Sequence, residues 1–486
     1  MRTAFRLIAA VLVLLLGVLV VRTLRFSTRQ ITPPPAEPLE LDSAAVIQRL
    51  AAAIRLPTVS EEDSSRRNPN QLIGLHRLLE AGFPHVSNAL TREVVDRYSL
   101  FYTWPGTDRL APAVLFISHL DVVPADSARW SRMPFAGDVA DGFVWGRGTL
   151  DDKVGVLGVL EAVEALARAG FRPRRTVYLG FGHDEELGGE GARAIAALLE
   201  ARKVRLDAVV DEGGAVLSGI VPGVAAPVAT VGVAEKGSVS LALTTHAPGG
   251  HSSMPPDETA IGRLSRAVDR LERDPFPATI GGAELALFRA VGPEMAWPHR
   301  ILFANLWLFE PLVLRRLTAS PPTAASVRTT LAPTLIQGGI KQNVLPASAQ
   351  AVVNLRILPG ETVESAVKRV RKVIADSAVQ VSIVGEGEDP SPLSPSDGPA
   401  FKALAGAIRQ IYPSAIVAPF LVVGATDARH YTNLTPNVYR FAPLPLTPAD
   451  LDRFHGVDER IAVPDYLRAV RWYAQAIRRL AGDGRR

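Results

Sequence analysis

The sequence predicts an α/β fold, with helices on both faces of a sheet, interrupted by a ferredoxin-like α+β unit. Three observations predict it. Short apolar runs alternate with helical apolar spacing over residues 43–234. Near Glu235 the texture changes to alternating small polar and apolar residues. Beyond residue 386 the α/β texture returns, so the second unit (235–386) reads as an insert between two parts of the first (43–234 and 387–486). At 486 residues, the chain is long enough for more than one folded unit.

The chain opens on an unbroken apolar run, residues 7–21, flanked by Arg2 and Arg6 before it and Arg22 and Arg25 after it. The run is shorter than the roughly 20 residues that cross a bilayer comfortably, but flanking arginines extend it by snorkelling. Residues 1–30 therefore read as a signal peptide or an uncleaved membrane anchor. No small-x-small cleavage site follows, which favours the anchor, with the rest of the chain exported. The Pro-rich stretch 32–38 reads as a stiff, extended spacer within residues 31–42.

Residues 43–56 carry helical spacing, with Ser43 as N-cap. Residues 113–117 form a buried strand that runs into His119 and Asp121. A helix spans 153–169 and stops at Gly170. A second strand, 176–181, runs into Asp184, Glu185 and Glu186, and a helix follows at 192–203. A third strand, 208–210, runs into Asp211 and Glu212. The insert reads as strand 238–245, helix 260–271, strands 330–337 and 350–357, helix 363–374 and strand 379–384. That is the order of a ferredoxin-like unit. Helices at 400–411 and 465–480 complete the chain. The apolar, aromatic segment 297–317 is extra to this plan. It reads either as a helix packed on the core of the insert or as a wall for an apolar substrate group.

Composition narrows the function. A formal charge of +4 and the absence of any Lys/Arg block give no case for a nucleic-acid partner. With no cysteine there is no disulfide, thiolate metal ligand or Cys nucleophile. Any metal must be held by His, Asp and Glu. Ligands in open α/β sheets bind outside the carboxyl ends of strands. His119, Asp121, Glu185, Glu186 and Asp211 all follow strands, so they can converge on one crevice. Asp151 and Asp152 end a Gly-rich stretch, Trp145 to Asp152, just before a helix. Taken alone they are helix caps. His455 alone is a surface histidine.

Together these segments resemble a known family. SHLDVVP (118–124), WGRGTLDDK (145–153), GHDEELGGEGA (182–192), DEGG (211–214) and FHGVDERI (454–461) resemble the di-zinc metallopeptidases that include carboxypeptidase G, aminoacylase-1, carnosinase and carboxypeptidase S. The resemblance covers residues 45–480. It implies a zinc-peptidase-like catalytic domain with a mixed sheet, and a lid or dimerisation domain as the insert. It implies two zinc ions, with cobalt or manganese as substitutes. His119 and Asp211 would hold one ion, Glu186 and His455 the other, and Asp151 would bridge them through a cis Asp151–Asp152 bond. Asp121 would orient His119, and Glu185 would be the general base. In the insert, His251 would stabilise the oxyanion, from its own or a partner subunit. Arg356 would bind a substrate carboxylate, and Asn343 would reach substrate. The loop 424–429 resembles a substrate-end loop of the family without a catalytic role. Ser118 and Val154 depart from glycines common in the family, and neither is a ligand position.

The implied activity is hydrolysis of an amide bond beside a free carboxylate, in a small-molecule or short-peptide substrate. The hydrophobic segment 297–317 points to apolar acyl groups. The insert would either close over the site or pair with a second copy. Two other readings remain. An inactive membrane-tethered binding protein would lack Glu185 or a ligand, and an aminopeptidase would lack Arg356 as a carboxylate anchor.

Overall fold

The computed structural model describes residues 1–484. A ten-stranded sheet forms its centre. In spatial order its strands are Thr91–Val95, Ser99–Trp104, Val177–Gly182, Ala113–His119, Leu206–Asp211, Val438–Arg440, Val228–Glu235, Val216–Leu217 and Pro445–Leu446, and Ile416–Val422 also pairs with Val228–Glu235. Ala113–His119 lies parallel to both of its neighbours, whereas Ser99–Trp104 runs antiparallel to Val177–Gly182. The sheet is therefore mixed, as the family resemblance implied.

Ala113–His119 is buried throughout, because both of its faces are covered. Alternate side chains serve different cores. Val114 and Phe116 pack with the helix Lys153–Arg168, and Leu115 and Ile117 pack with the helix Glu190–Ala201. Lys153–Arg168 also packs against Val463–Ala481, and is buried along nearly its whole length.

The insert contains its own sheet, ordered Thr330–Gly338, Ser348–Ile357, Gly237–His246, Val379–Glu388, with every pairing antiparallel. The helices Ala260–Arg273 and Val363–Ile374 cover one face, sharing a core of Leu241, Leu264, Val353 and Val370. This is the strand, helix, strand, strand, helix, strand order expected.

Two segments differ from expectation. The apolar run lies within a longer helix, Arg2–Arg25, long and apolar enough to cross a membrane and exposed except at Thr23, which is buried, and Leu15 and Leu19, which are half-buried. The Pro-rich stretch after it is extended but does not stand free. Prolines lack an N–H, so this chain cannot pair as a full strand, and its carbonyls need donors. Side-chain amides supply them: Gln410 Nε2 donates to Pro34 O at 2.9 Å and Gln475 Nε2 to Glu37 O at 2.8 Å. Gln30 binds Val417 through both its Oε1 (from Val417 N, 2.8 Å) and its Nε2 (to Val417 O, 3.1 Å). The spacer is thus strapped to the body.

Segment 297–317 forms two helices, Trp297–Ala304 and Leu306–Leu317, joined at Asn305. The first packs on the N-terminal helix, and none of the segment belongs to the core of the four-stranded sheet. That expectation is corrected. The cause is Asn305, whose fully buried amide donates to Thr23 Oγ1 and Leu19 O of the N-terminal helix.

Candidate metal centre

His119 ends the central strand and is 1% exposed. Its Nδ1 lies 3.0 Å from Asp121 O and 3.3 Å from Asp121 Oδ1. A neutral imidazole carries one proton, and these acceptors claim it at Nδ1. The Nε2 lone pair then faces Asp151 Oδ1 at 2.9 Å and Glu212 Oε1 at 3.4 Å. A lone pair facing two carboxylates calls for a cation between them. Without one the ring must take a second proton. Burial opposes that, but Asp121, Asp151 and Glu212 together raise its pKa well above 6.5.

Asp121 does more than orient His119. Its carboxylate accepts from Ser60 Oγ at 2.5 Å, Glu185 N at 3.1 Å and Glu186 N at 3.2 Å. Burial acts to raise its pKa, but His119, Ser60 and Glu186 N hold it below the usual carboxylate value. Asp121 thereby locks the turn Glu185–Leu187 beside the imidazole. Glu185 is pushed well above its ordinary value by burial, with Asp427, Glu186 and Asp121 adding to the effect and His119 opposing it.

Asp151 is presented by a loop that Glu459 holds. Glu459 Oε1 accepts from Gly148 N at 3.0 Å and Leu150 N at 2.7 Å, and Oε2 pairs with Arg147 at 2.7 Å. Gly148 has φ +96°, a conformation that favours glycine. The Asp151–Asp152 peptide bond is cis. Asp152 Oδ1 alone caps the helix that follows, accepting from Gly155 N at 3.2 Å, so Asp151 is left to the site.

His455 arrives from a loop 304 positions after Asp151 and sets Nε2 3.1 Å from Asp151 Oδ2 and 3.3 Å from Glu186 Oε1. Those two carboxylates push it up to about 10. Glu186 Oε1 is buried and has no partner in hydrogen-bond geometry.

The donor atoms fall into three groups within 4.8 Å: His119, Asp151 and Glu212; Asp151, Glu186 and His455; and His119, Glu185 and Glu186. Asp151 belongs to the first two. The sequence reading assigned Asp211 where the structure places Glu212. Asp211 is the last residue of its strand, and its Oδ2 accepts from Ala428 N at 2.7 Å. Successive side chains of an extended chain point to opposite sides, so Glu212 turns to His119 instead. Two consecutive acids at one strand end were the available signal, and the alternation decides between them. Glu459 and Ser60 were not singled out from sequence either. Glu459 lay in the quoted motif around His455, whereas Ser60 carried no sequence signal.

His251, Asn343 and Arg356 are not brought to this cluster. Among the described residues none of them hydrogen-bonds or ion-pairs with it. His251 is exposed in a two-stranded ribbon, where Gly250–His251 pairs with Val344–Leu345 and Ser252 N donates to Asn343 O. Arg356 is exposed on the four-stranded sheet, opposite Ser238 and Thr330. A cavity of about 470 Å³ opens beside Glu186, lined also by Ser60, Glu61, Arg66 and Pro124.

Residues 115–479, which include every member of the cluster, match the profile of Peptidase family M20/M25/M40. The chain belongs to that family. It is 39% identical to probable carboxypeptidase S-like 2 of Dictyostelium discoideum, over 98% of this chain and 95% of that one. It is 41% identical to the N-fatty-acyl-amino acid synthase/hydrolase PM20D1 of Xenopus tropicalis, over 96% and 93%. Carboxypeptidase S of Saccharomyces cerevisiae is 31% identical, over 87% and 82%. Among solved structures, an M20 metallo-carboxypeptidase of Sulfolobus solfataricus shares the fold at TM-score 0.66 and 16% identity, covering 90% of this chain and 99% of that one. Human carnosine dipeptidase 1 does so at 0.61 and 17%, covering 90% and 96%. As an M20-family member the protein is a metal-dependent hydrolase, a metallo-amidohydrolase.

Proposed function

We propose that this M20-family protein cleaves an amide bond beside a free carboxylate, in N-acyl amino acids or short peptides, using two zinc ions. The observation that carries this reading is Asp151, whose two oxygens face His119 and His455 separately. The donor set of imidazoles and carboxylates suits zinc, with cobalt or manganese as substitutes. His119, Asp151 and Glu212 would hold one ion, and Asp151, Glu186 and His455 the other. Glu186 Oε1, buried without a hydrogen bond and facing His455 Nε2 at 3.3 Å, fits such a site.

Bound zinc supplies Lewis acidity toward the scissile carbonyl and acidifies water. The chain's own groups do the rest. Glu185 takes the proton of the attacking water and delivers it to the leaving nitrogen. Asp121 keeps the Nδ1 proton of His119 in place and fixes the backbone of Glu185. We assign residues 235–386 as a lid that swings onto the site, or meets the site of a second copy in a homodimer. Closure would bring His251 to the carbonyl oxygen, where a donor is worth about 3–4 kcal/mol in the transition state. Arg356 would fork the substrate carboxylate, with Asn343 beside it. The helix Arg2–Arg25 is assigned as an uncleaved anchor with the catalytic body outside the cytoplasm. Similarity to N-fatty-acyl-amino acid and carboxypeptidase S-type relatives supports apolar acyl groups on the substrate.

Full-length protein in detergent would be assayed on N-acyl amino acids, dipeptides and their C-terminal amides. Chelator should abolish turnover, and the amides should be poor substrates. Chelator-resistant turnover would overturn the metal reading. Equal cleavage of the amides would replace the carboxylate-anchored reading with an aminopeptidase.

A further inference from the structure

The helix Leu306–Leu317 buries only Val313. Trp307 (54%), Leu308 (39%) and Leu312 (54%) are exposed, with Pro311 between them. Spaced at i, i+1, i+4 and i+5, these four share one helix face. Arg315 continues that face and Arg316 borders it, both exposed. Trp297, half exposed, begins the preceding helix. A contiguous apolar face with tryptophan and terminal arginines is poorly suited to water and well suited to the boundary of headgroups and acyl chains.

What lies against this face is indicated by its neighbour. The hairpin is joined to the last turns of the N-terminal helix. Asn305 Nδ2 donates to Thr23 Oγ1 at 3.2 Å and to Leu19 O at 3.3 Å, with Thr23 and Asn305 both fully buried. Arg22 Nε donates to Ala304 O at 3.4 Å, and Arg300 to Phe26 O at 2.6 Å. Phe26 packs against Gly292, where a Cβ would lie 2.6 Å from its ring. Most large apolar side chains of the helix before this joint face outward, with Leu15 and Leu19 half-buried on the side of the joint. An anchor spanning residues 7–25 is on the order of 30 Å long, the thickness of a hydrocarbon core. Its end at Arg22 and Arg25 then marks the interface, and the hairpin is bolted at that level.

We infer that the hairpin 297–317 is a second membrane contact, lying in the interface of an anionic bilayer with Trp307, Leu308 and Leu312 immersed. This rests on the assignment of Arg2–Arg25 as an anchor. The anchor, the hairpin and the strap at residues 30–37 then hold the catalytic body rigidly against the bilayer, in place of a body tethered on a loose linker. Glu310 is the one acid on this stretch, and it sits beside the apolar face.

The chain lacks cysteine, so single cysteines can be placed and labelled with an environment-sensitive dye. Leu14→Cys, Leu312→Cys and Leu110→Cys all fall at exposed positions. Leu110 precedes the start of the strand Ala113–His119, at the end opposite His119. Each full-length variant would be reconstituted in phosphatidylcholine vesicles doped with phosphatidylglycerol, with and without spin-labelled lipid. Most of the fluorescence should be lost at Leu14 with deep quenchers and at Leu312 with shallow ones, and none at Leu110. Quenching at Leu14 without quenching at Leu312 would overturn the hairpin contact and leave the anchor standing. No quenching at Leu14 would remove the anchor and the hairpin contact together.

Discussion

Asp151 divides its carboxylate between two histidines, Oδ1 lying 2.9 Å from His119 Nε2 and Oδ2 3.1 Å from His455 Nε2. A carboxylate so placed can serve two ions at once. Asp151→Ala should therefore lose both metals, whereas Glu185→Gln should keep both and lose about 10²–10⁴-fold in turnover. Metal analysis alongside single-turnover kinetics separates the two effects. A Glu185→Gln variant that turns over normally would remove Glu185 as the base.

The adjacent acids Asp211 and Glu212 should behave differently. Glu212 Oε1 faces His119 Nε2, while Asp211 Oδ2 is occupied by Ala428 N. Glu212→Ala should reduce the bound metal from two ions to one. Asp211→Asn should retain both, because an amide oxygen can still accept from Ala428 N. Equilibrium dialysis with zinc would decide it, and loss of metal in Asp211→Asn would restore Asp211 as the ligand.

Glu459 is fully buried, and so is its partner Arg147 at 2% exposure. Removing one member of a buried pair leaves the other charge unpaired, which destabilises by about 3–5 kcal/mol. Glu459→Ala should show that loss in denaturant unfolding. It should also weaken metal binding, because the amides of Gly148 and Leu150 lose their acceptor and the loop carrying Asp151 loosens. A stable variant with full metal affinity would mean that the loop holds itself.

Much of this site was legible in the sequence, for a physical reason. Strand ends such as His119 and Glu185–Glu186 are marked by apolar runs stopping at polar residues, and the sheet then gathers them. The convergence of His119 and Glu186 follows that logic, whereas Asp151 and His455 lie in loops and joined the set only through the family resemblance. Which of two neighbouring acids points inward was not legible, because it depends on local backbone direction at the end of Leu206–Asp211. The inner strand Ser99–Trp104 and the edge strand Ile416–Val422 escaped notice because neither runs directly into a His, Asp or Glu. The docking of 297–317 on the N-terminal helix rests on scattered long-range polar contacts, from Asn305 to Thr23 and Leu19, from Arg22 to Ala304 and from Arg300 to Phe26, which have no periodic signature.

Glu284 offers a test of stability against pH away from the metal cluster. It lies on the helix Gly282–Val291, is 4% exposed, and has Oε1 without a hydrogen-bond partner. Burial pushes its carboxyl from 4.5 up to about 7, against the opposing hydrogen bond from Ser326. Between those values the folded state holds a proton that the unfolded state has released. The folded state binds more protons there, so stability falls as pH rises through the window. The full penalty, about 3 kcal/mol, is reached above the folded value and vanishes below the unfolded one. Glu284→Gln cannot ionise and escapes it. The variant should exceed the parent protein in unfolding free energy by about that amount near pH 8, and match it near pH 4. Urea titrations across the range would reveal the crossover. A difference that stays flat with pH would show that the Glu284 carboxylate is ionised and satisfied in the folded protein.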